Sequence, residues 1–135
     1  MIAKMNLEDF KRFDQSGQGT ETPIARLSAE MVRHLNASSG DVLLHHAYLR
    51  KAIEKHGMAI AQLPMISETI DHGRALADRP SHITFLHFDE TIWKRWFHVT
   101  VKVAGESRLV YVATFYKTDL KEVVRKSKRH PWLRE

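Results

Sequence analysis

Apolar and polar positions alternate most regularly in the C-terminal half of the chain. Phe97, Val99, Val101 and Val103 alternate with Trp96, His98, Thr100 and Lys102, which is the period of a β-strand. Residues 104–107 (Ala-Gly-Glu-Ser) read as a hairpin turn. On the returning strand, strict alternation assigns Leu109, Tyr111, Ala113 and Phe115 to one face, and Val110, Val112, Thr114 and Tyr116 to the other. Residues 82–88, rich in aromatic and branched side chains, predict a strand before these two.

The N-terminal half reads mainly as helix. Leu7, Phe10 and Phe13 are loosely in phase over residues 7–14, and a Gly- and Ser-containing loop follows at 15–20. Thr22-Pro23 can cap and open a helix in which Ile24, Leu27, Met31 and Leu35 recur at three- and four-residue steps. Residues 38–41 break that pattern, and Val42-Leu43-Leu44 is compatible with a short strand. From His46, Leu49, Ala52, Ile53 and His56 share one stripe, with Tyr48, Lys51 and Lys55 on another face and Gly57 at the stop position. Pro64 starts a further helix that ends at Gly73, with Met65, Ile66, Thr69 and Ile70 inward. Thr118 or Asp119 caps a last helix through about Lys126.

Helices first and an antiparallel meander after them predict an α+β fold, N-terminal helices packed on a small C-terminal antiparallel sheet. The expected organisation is an N-terminal extension or linker at 1–20, a compact domain at 21–127 and a loose basic tail at 128–135.

Composition narrows the chemistry. In 135 residues there is no cysteine, which removes disulfides, thiolate zinc sites and cysteine nucleophiles. Lys plus Arg is 21 against 16 Asp plus Glu, a formal charge of +5 that suits an anionic partner, nucleic acid before membrane. No apolar run reaches the length of a membrane span, and the first residues lack a secretory apolar stretch, so the expected location is cytoplasmic. A fragment of a larger toxin delivered to a target cytoplasm would read the same way.

The nine histidines do not have metal-ligand spacing. His45 and His46 are neighbours on a helix start, His82 and His87 lie five apart on a strand, and His98 has no carboxylate beside it in sequence. No cofactor or metal is expected. Proton transfer by histidine, with Lys, Arg and hydroxyl donors to stabilise charge, is the chemistry these residue types permit. RNA suits it, because the 2′-hydroxyl is a nucleophile carried by the substrate. His56, at a helix C-terminus, is a candidate general base or acid and equally the natural end of an apolar stripe. Thr114 in the last strand is a candidate phosphate-binding hydroxyl, and Tyr116, two residues on, a base-stacking or donor group. Arg95, His98 and Lys102 come from the strand before, with Arg95 on the opposite side from the other two if it alternates regularly.

The order of a short strand, a helix ending in Lys55-His56-Gly57, a Pro-initiated helix, a three-stranded meander and a closing Val112-Ala113-Thr114-Phe115-Tyr116 resembles the barnase–EndoU–colicin–RelE group of nucleases. The resemblance covers residues 41–117 and is nearest to the phage and polymorphic-toxin branches. It implies a barnase/RelE-like fold and a metal-independent endoribonuclease of toxin or effector type. Helix-histidine and last-strand-hydroxyl roles carry over to His56 and Thr114, with Lys51 and Tyr116 as further catalytic candidates. Lys55, Arg95, His98 and Lys117 are the RNA-binding candidates. RNA, tRNA included, and a cognate immunity or antitoxin protein are the implied partners. The alternative is a non-catalytic RNA-binding or protein-interaction module of similar fold.

Overall fold

A computed structural model describes residues 4–134; Met1, Ile2, Ala3 and Glu135 lie outside the described residues. Asn6 and Asp9 form a reciprocal cap that starts α1 (Leu7–Ser16). Phe10, fully enclosed, carries that helix into the main core. Residues 7–16, expected within an extension, therefore contribute to the packed unit.

Residues 22–35 differ from the helix that their spacing predicts. Glu21–Arg26 is a strand, β1, and the helix α2 (Ala29–Leu35) begins only after Ser28, whose hydroxyl accepts from the Met31 amide. Ile24, Leu27, Met31 and Leu35 are all buried, but from three different pieces of backbone. Pro23 fits because β1 is an edge strand with a register shift between Pro23 and Ala25, so its missing N–H interrupts no central ladder. Asp41–His45 forms β2, and α3 (His46–Glu54) follows it directly. Gly57 adopts φ 65°, and the Met58 amide returns to the Ala52 carbonyl, so the chain reverses where the sequence predicts it.

A 3-10 turn at Ile60–Gln62 leads into α4 (Met65–His72). Then come β3 (Arg74–Arg79), β4 (His82–Asp89), β5 (Arg95–Ala104), β6 (Leu109–Thr118), α5 (Leu120–Arg129) and β7 (Trp132–Arg134). The α+β class holds, and the sheet is seven-stranded and mixed, in the order β1-β2-β6-β5-β4-β3-β7. Every neighbouring pair is antiparallel except β2 with β6, which run parallel. The sheet thus draws strands from both halves of the chain and is larger than the C-terminal sheet expected. Residues 128–134 are not a loose tail either, since they belong to the end of α5, which packs on the sheet, and to β7 at its edge.

The two faces of the sheet carry different residues. Ile83, Phe85, Phe97, Val99, Val101, Val110, Val112 and Phe115 face the main core with α4. Leu76, Leu86 and Val123 form a second cluster with Trp96 and Trp132, which puts α5 on the other face. One irregularity decides what else that outer face holds. Thr100 pairs with Thr114 but Val101 pairs with Val112, so Ala113 is an extra residue, a β-bulge. Strict alternation along β6 is therefore corrected. Tyr111, opposite Lys102, and Tyr116, opposite His98, share the outer face although they lie five residues apart. No helix among the described residues is long and apolar enough to cross a membrane.

Candidate functional site

The outer face between α3 and α5 holds the densest group of polar side chains. His98 on β5 is 3% exposed and stacks on Tyr116, ring centroids 4.2 Å apart and planes 21° apart. The His56 ring, just past α3, approaches the same tyrosine at 5.6 Å. Tyr116 is thus flanked by two imidazoles that come from distant parts of the chain.

A line of hydroxyls runs from His98 across the sheet to a carboxylate. Thr84 donates to Asp78 Oδ2 at 3.0 Å, which leaves the Thr100 hydroxyl to donate to Thr84 at 3.1 Å. Thr100 Oγ1 is then an acceptor toward His98 Nε2 at 3.5 Å. That order assigns the proton of His98 to Nε2 and leaves Nδ1 unprotonated. Nδ1 is buried and has no partner. On the far side of Asp78, His130 Nε2 stands 3.6 Å from Oδ1.

Charge reaches this group from both helices. α5 presents Glu122, which bonds Arg125 and lies 4.0 Å from Lys126 Nζ. Burial pushes the His98 pKa down to about 3, and the Lys126 ammonium adds to the effect. Burial, then the positive charges of Lys51 and Lys55, hold His56 below the ordinary histidine range. Burial pushes Tyr116 up, with Glu122 adding to it. At neutral pH both imidazoles are therefore neutral bases and the phenol keeps its proton.

Two atoms near these rings have unused bonding capacity. His56 Nε2 and Thr114 Oγ1 are both buried without a hydrogen-bond partner. An orphaned buried polar atom costs about 1–3 kcal/mol, so each of the two would gain from a partner that reached it.

Of the residues singled out from sequence, the structure brings together His56, Tyr116 and His98, with Lys51 and Lys55 close enough to depress His56. Thr114 lies on the same face, opposite Thr100. Arg95 and Lys117 are not brought together with them. Arg95 sits opposite Asp89 and Lys117 opposite Phe97, so both belong to the other face of their strands. Asp78, Thr84, Thr100, Glu122, Lys126 and His130 were not singled out. The Glu122, Arg125 and Lys126 spacing is legible as one helix face. Asp78 gave no signal because β3 was not predicted.

Among the described residues, no three or more His, Asp or Glu are grouped to hold a metal ion. No family model, no curated protein and no solved structure matches the chain.

Proposed function

We propose that this chain is an endoribonuclease that cleaves RNA through its 2′-hydroxyl without using a metal ion. The observation that carries the reading is the convergence of His56 and His98 on Tyr116, with Lys51 of α3 and Lys55 just after it beside His56. A neutral imidazole next to a protonated phenol is an acid–base pair already in the required protonation states at pH 7. His56 takes the proton of the 2′-hydroxyl as that oxygen attacks phosphorus. Tyr116 gives its proton to the departing 5′-oxygen as the P–O5′ bond breaks. Lys51 and Lys55 neutralise charge on the phosphorane, and Thr114 offers a hydroxyl. The products are a 2′,3′-cyclic phosphate and a 5′-hydroxyl. His98, held in one tautomer by the hydroxyl line to Asp78, fixes the tyrosine ring from below.

The likeness to the barnase–EndoU–colicin–RelE nucleases, and with it a barnase/RelE-like fold, belongs to this proposal. So do a cytoplasmic site of action, whether the cell's own or a target's, tRNA among the substrates, and an immunity or antitoxin partner.

The test is incubation with total RNA and with oligonucleotides, in the presence and absence of excess EDTA. Cleavage should survive the chelator, spare DNA and stop at a 2′-O-methylated position. His56→Ala should lose roughly 10² or more in rate while unfolding at a normal urea concentration. Chelator-sensitive cutting, or DNA cut as fast as RNA, would overturn the mechanism.

One observation favours a second reading. His56 Nε2 has no solvent exposure, as a packing histidine would have. A non-catalytic RNA-binding or protein-interaction module fits that, and it predicts retention of intact RNA at any enzyme concentration.

A further inference from the structure

A second feature of the outer face lies at the other end of β5 and β6. Glu21, His45, Tyr48, Lys102, Ala104 and Tyr111 line an open pocket of about 260 Å³. Its components come from five elements. Tyr111 and Lys102 are a cross-strand pair on β6 and β5, Glu21 and His45 a pair on β1 and β2, and Tyr48 reaches in from the first turn of α3. The bulge at Ala113 puts Tyr111 on this face.

Three properties indicate what the pocket takes. Its walls include two tyrosines, which offer flat apolar surface with a polar tip. Two ammonium groups gather at one of them, Lys102 Nζ at 5.8 Å and Lys51 Nζ at 6.0 Å from the Tyr48 ring centroid. That is a cationic rim suited to a phosphate. The interior carries one fixed donor and one acceptor. His45 Nδ1 accepts from the Ala47 amide at 3.1 Å, so a neutral ring keeps its proton on Nε2 as a donor. Burial raises the Tyr111 phenol, the nearby Glu21 carboxylate adds to it, and that carboxylate has lone pairs to offer a ligand. A volume near 260 Å³ is below that of pockets for larger organic ligands and fits one ring system.

From this geometry we infer that the Tyr48–Tyr111 pocket is a subsite for one unpaired nucleobase of RNA, its phosphate held by Lys102, with Lys51 between it and the scissile phosphate. The inference rests on the RNA reading of the neighbouring cluster and adds to it a substrate-positioning site. Lys102 and His98 lie on the same side of β5 four residues apart, about 13 Å at the rise of a strand. The base in the pocket therefore belongs to a nucleotide near the scissile phosphate but not at it. Purines should be preferred over pyrimidines, because the larger ring covers more of the tyrosine faces.

The experiment is an NMR titration of the folded protein with guanosine and uridine monophosphates, which no ribonuclease can cleave. Saturable shifts should appear at the amides of His45, Tyr48, Lys102 and Tyr111, at lower concentration for the purine. Tyr111→Ala should weaken binding roughly tenfold, and Tyr111→Leu should weaken it too while keeping apolar volume in the wall. Lys102→Ala should narrow the difference between guanosine monophosphate and free guanosine. His56→Ala should bind as the parent does. Absence of saturable shifts at these residues at millimolar nucleotide, or unchanged binding in both Tyr111 variants, would overturn the inference. The two readings separate cleanly. Nucleotide binding in the pocket without RNA cleavage would sink the nuclease and leave the subsite standing, and cleavage without pocket binding would do the reverse.

Discussion

At the scale of single residues, His98 shows how burial turns a titratable group into a stability switch. Its pKa falls from the ordinary 6.5 to about 3 in the folded chain. Between those values the unfolded chain holds a proton that the folded chain refuses, so stability rises with pH across that window and is fully present above 6.5. Acidification from pH 6.5 to 5 should therefore cost about 2 kcal/mol through this residue alone. Urea unfolding of the parent and of His98→Gln at both pH values measures it. The parent should lose more than the variant by about that amount, and equal losses would mean that His98 accepts a proton in place. This behaviour was not legible in the sequence, where His98 is one polar position in an alternating strand. Its environment depends on the partner strands, on Tyr116 across the ladder and on Lys126 from a helix that follows. His56 was legible as the end of a helical stripe, and its two lysines as the next face. What the sequence withheld was that the stripe ends against Tyr116.

At the scale of elements, the patterns that held are those with a local cause. The helix stop at Gly57, the Pro64-to-Gly73 helix, the 104–107 turn and the cap at Asp119 each follow from residues within a few positions. The elements that were missed are the sheet's borders. β1 and β7 are its edge strands, and β3 is next to one of them. Arg74–Arg79 has only Ala75 and Leu76 buried, one toward each cluster, which is too short a run to show a period. The junction of α4 with β3 is nonetheless tightly specified. A Cβ at Gly73 would overlap the Thr69 carbonyl and lie 2.8 Å from the Leu86 carbonyl oxygen, both rigid backbone. Gly73→Ala should destabilise the chain by at least about 1–3 kcal/mol, seen as a lower urea midpoint with unchanged slope. A midpoint at the parent value would show that the helix end can retreat from β4 without cost.

At the scale of the whole molecule, the order of strands is set by contacts that no local pattern encodes. The parallel pairing of Val42 with Val110 joins segments that are far apart in sequence, and α5 closes a face that the sequence leaves open. The last strand is fastened to the end of α4 as well as to β3. From β7, Arg134 donates through Nε to the Gly73 carbonyl at 2.9 Å and through Nη2 to the Ile70 carbonyl at 2.5 Å. These are helix-end carbonyls of α4 that have no partner within their own helix. Removing the guanidinium leaves them unpaired, so Arg134→Ala should cost about 1–3 kcal/mol in thermal or urea unfolding. Arg134→Lys should recover little of it, because an ammonium cannot reproduce the planar fork. Full recovery by lysine would show that charge rather than geometry holds the strand.

The extra residue at Ala113 has a consequence for how such a chain can change over generations. From Lys102 to His98 the face advances four positions on β5, and from Tyr111 to Tyr116 it advances five on β6. Loss of the Ala113 codon would leave Val110, Val112 and Phe115 facing inward and Tyr111, Thr114 and Tyr116 facing outward, in unbroken alternation. The core would see no difference in pattern. Tyr111 would stay opposite Lys102 and Tyr116 opposite His98, so the two tyrosines would keep the spacing that β5 sets and only the local bend of the bulge would go. A single-codon deletion at this point is thus an event that heredity can accept while both surface sites stay in place. Elsewhere on the central strands the same event would turn the interior inside out.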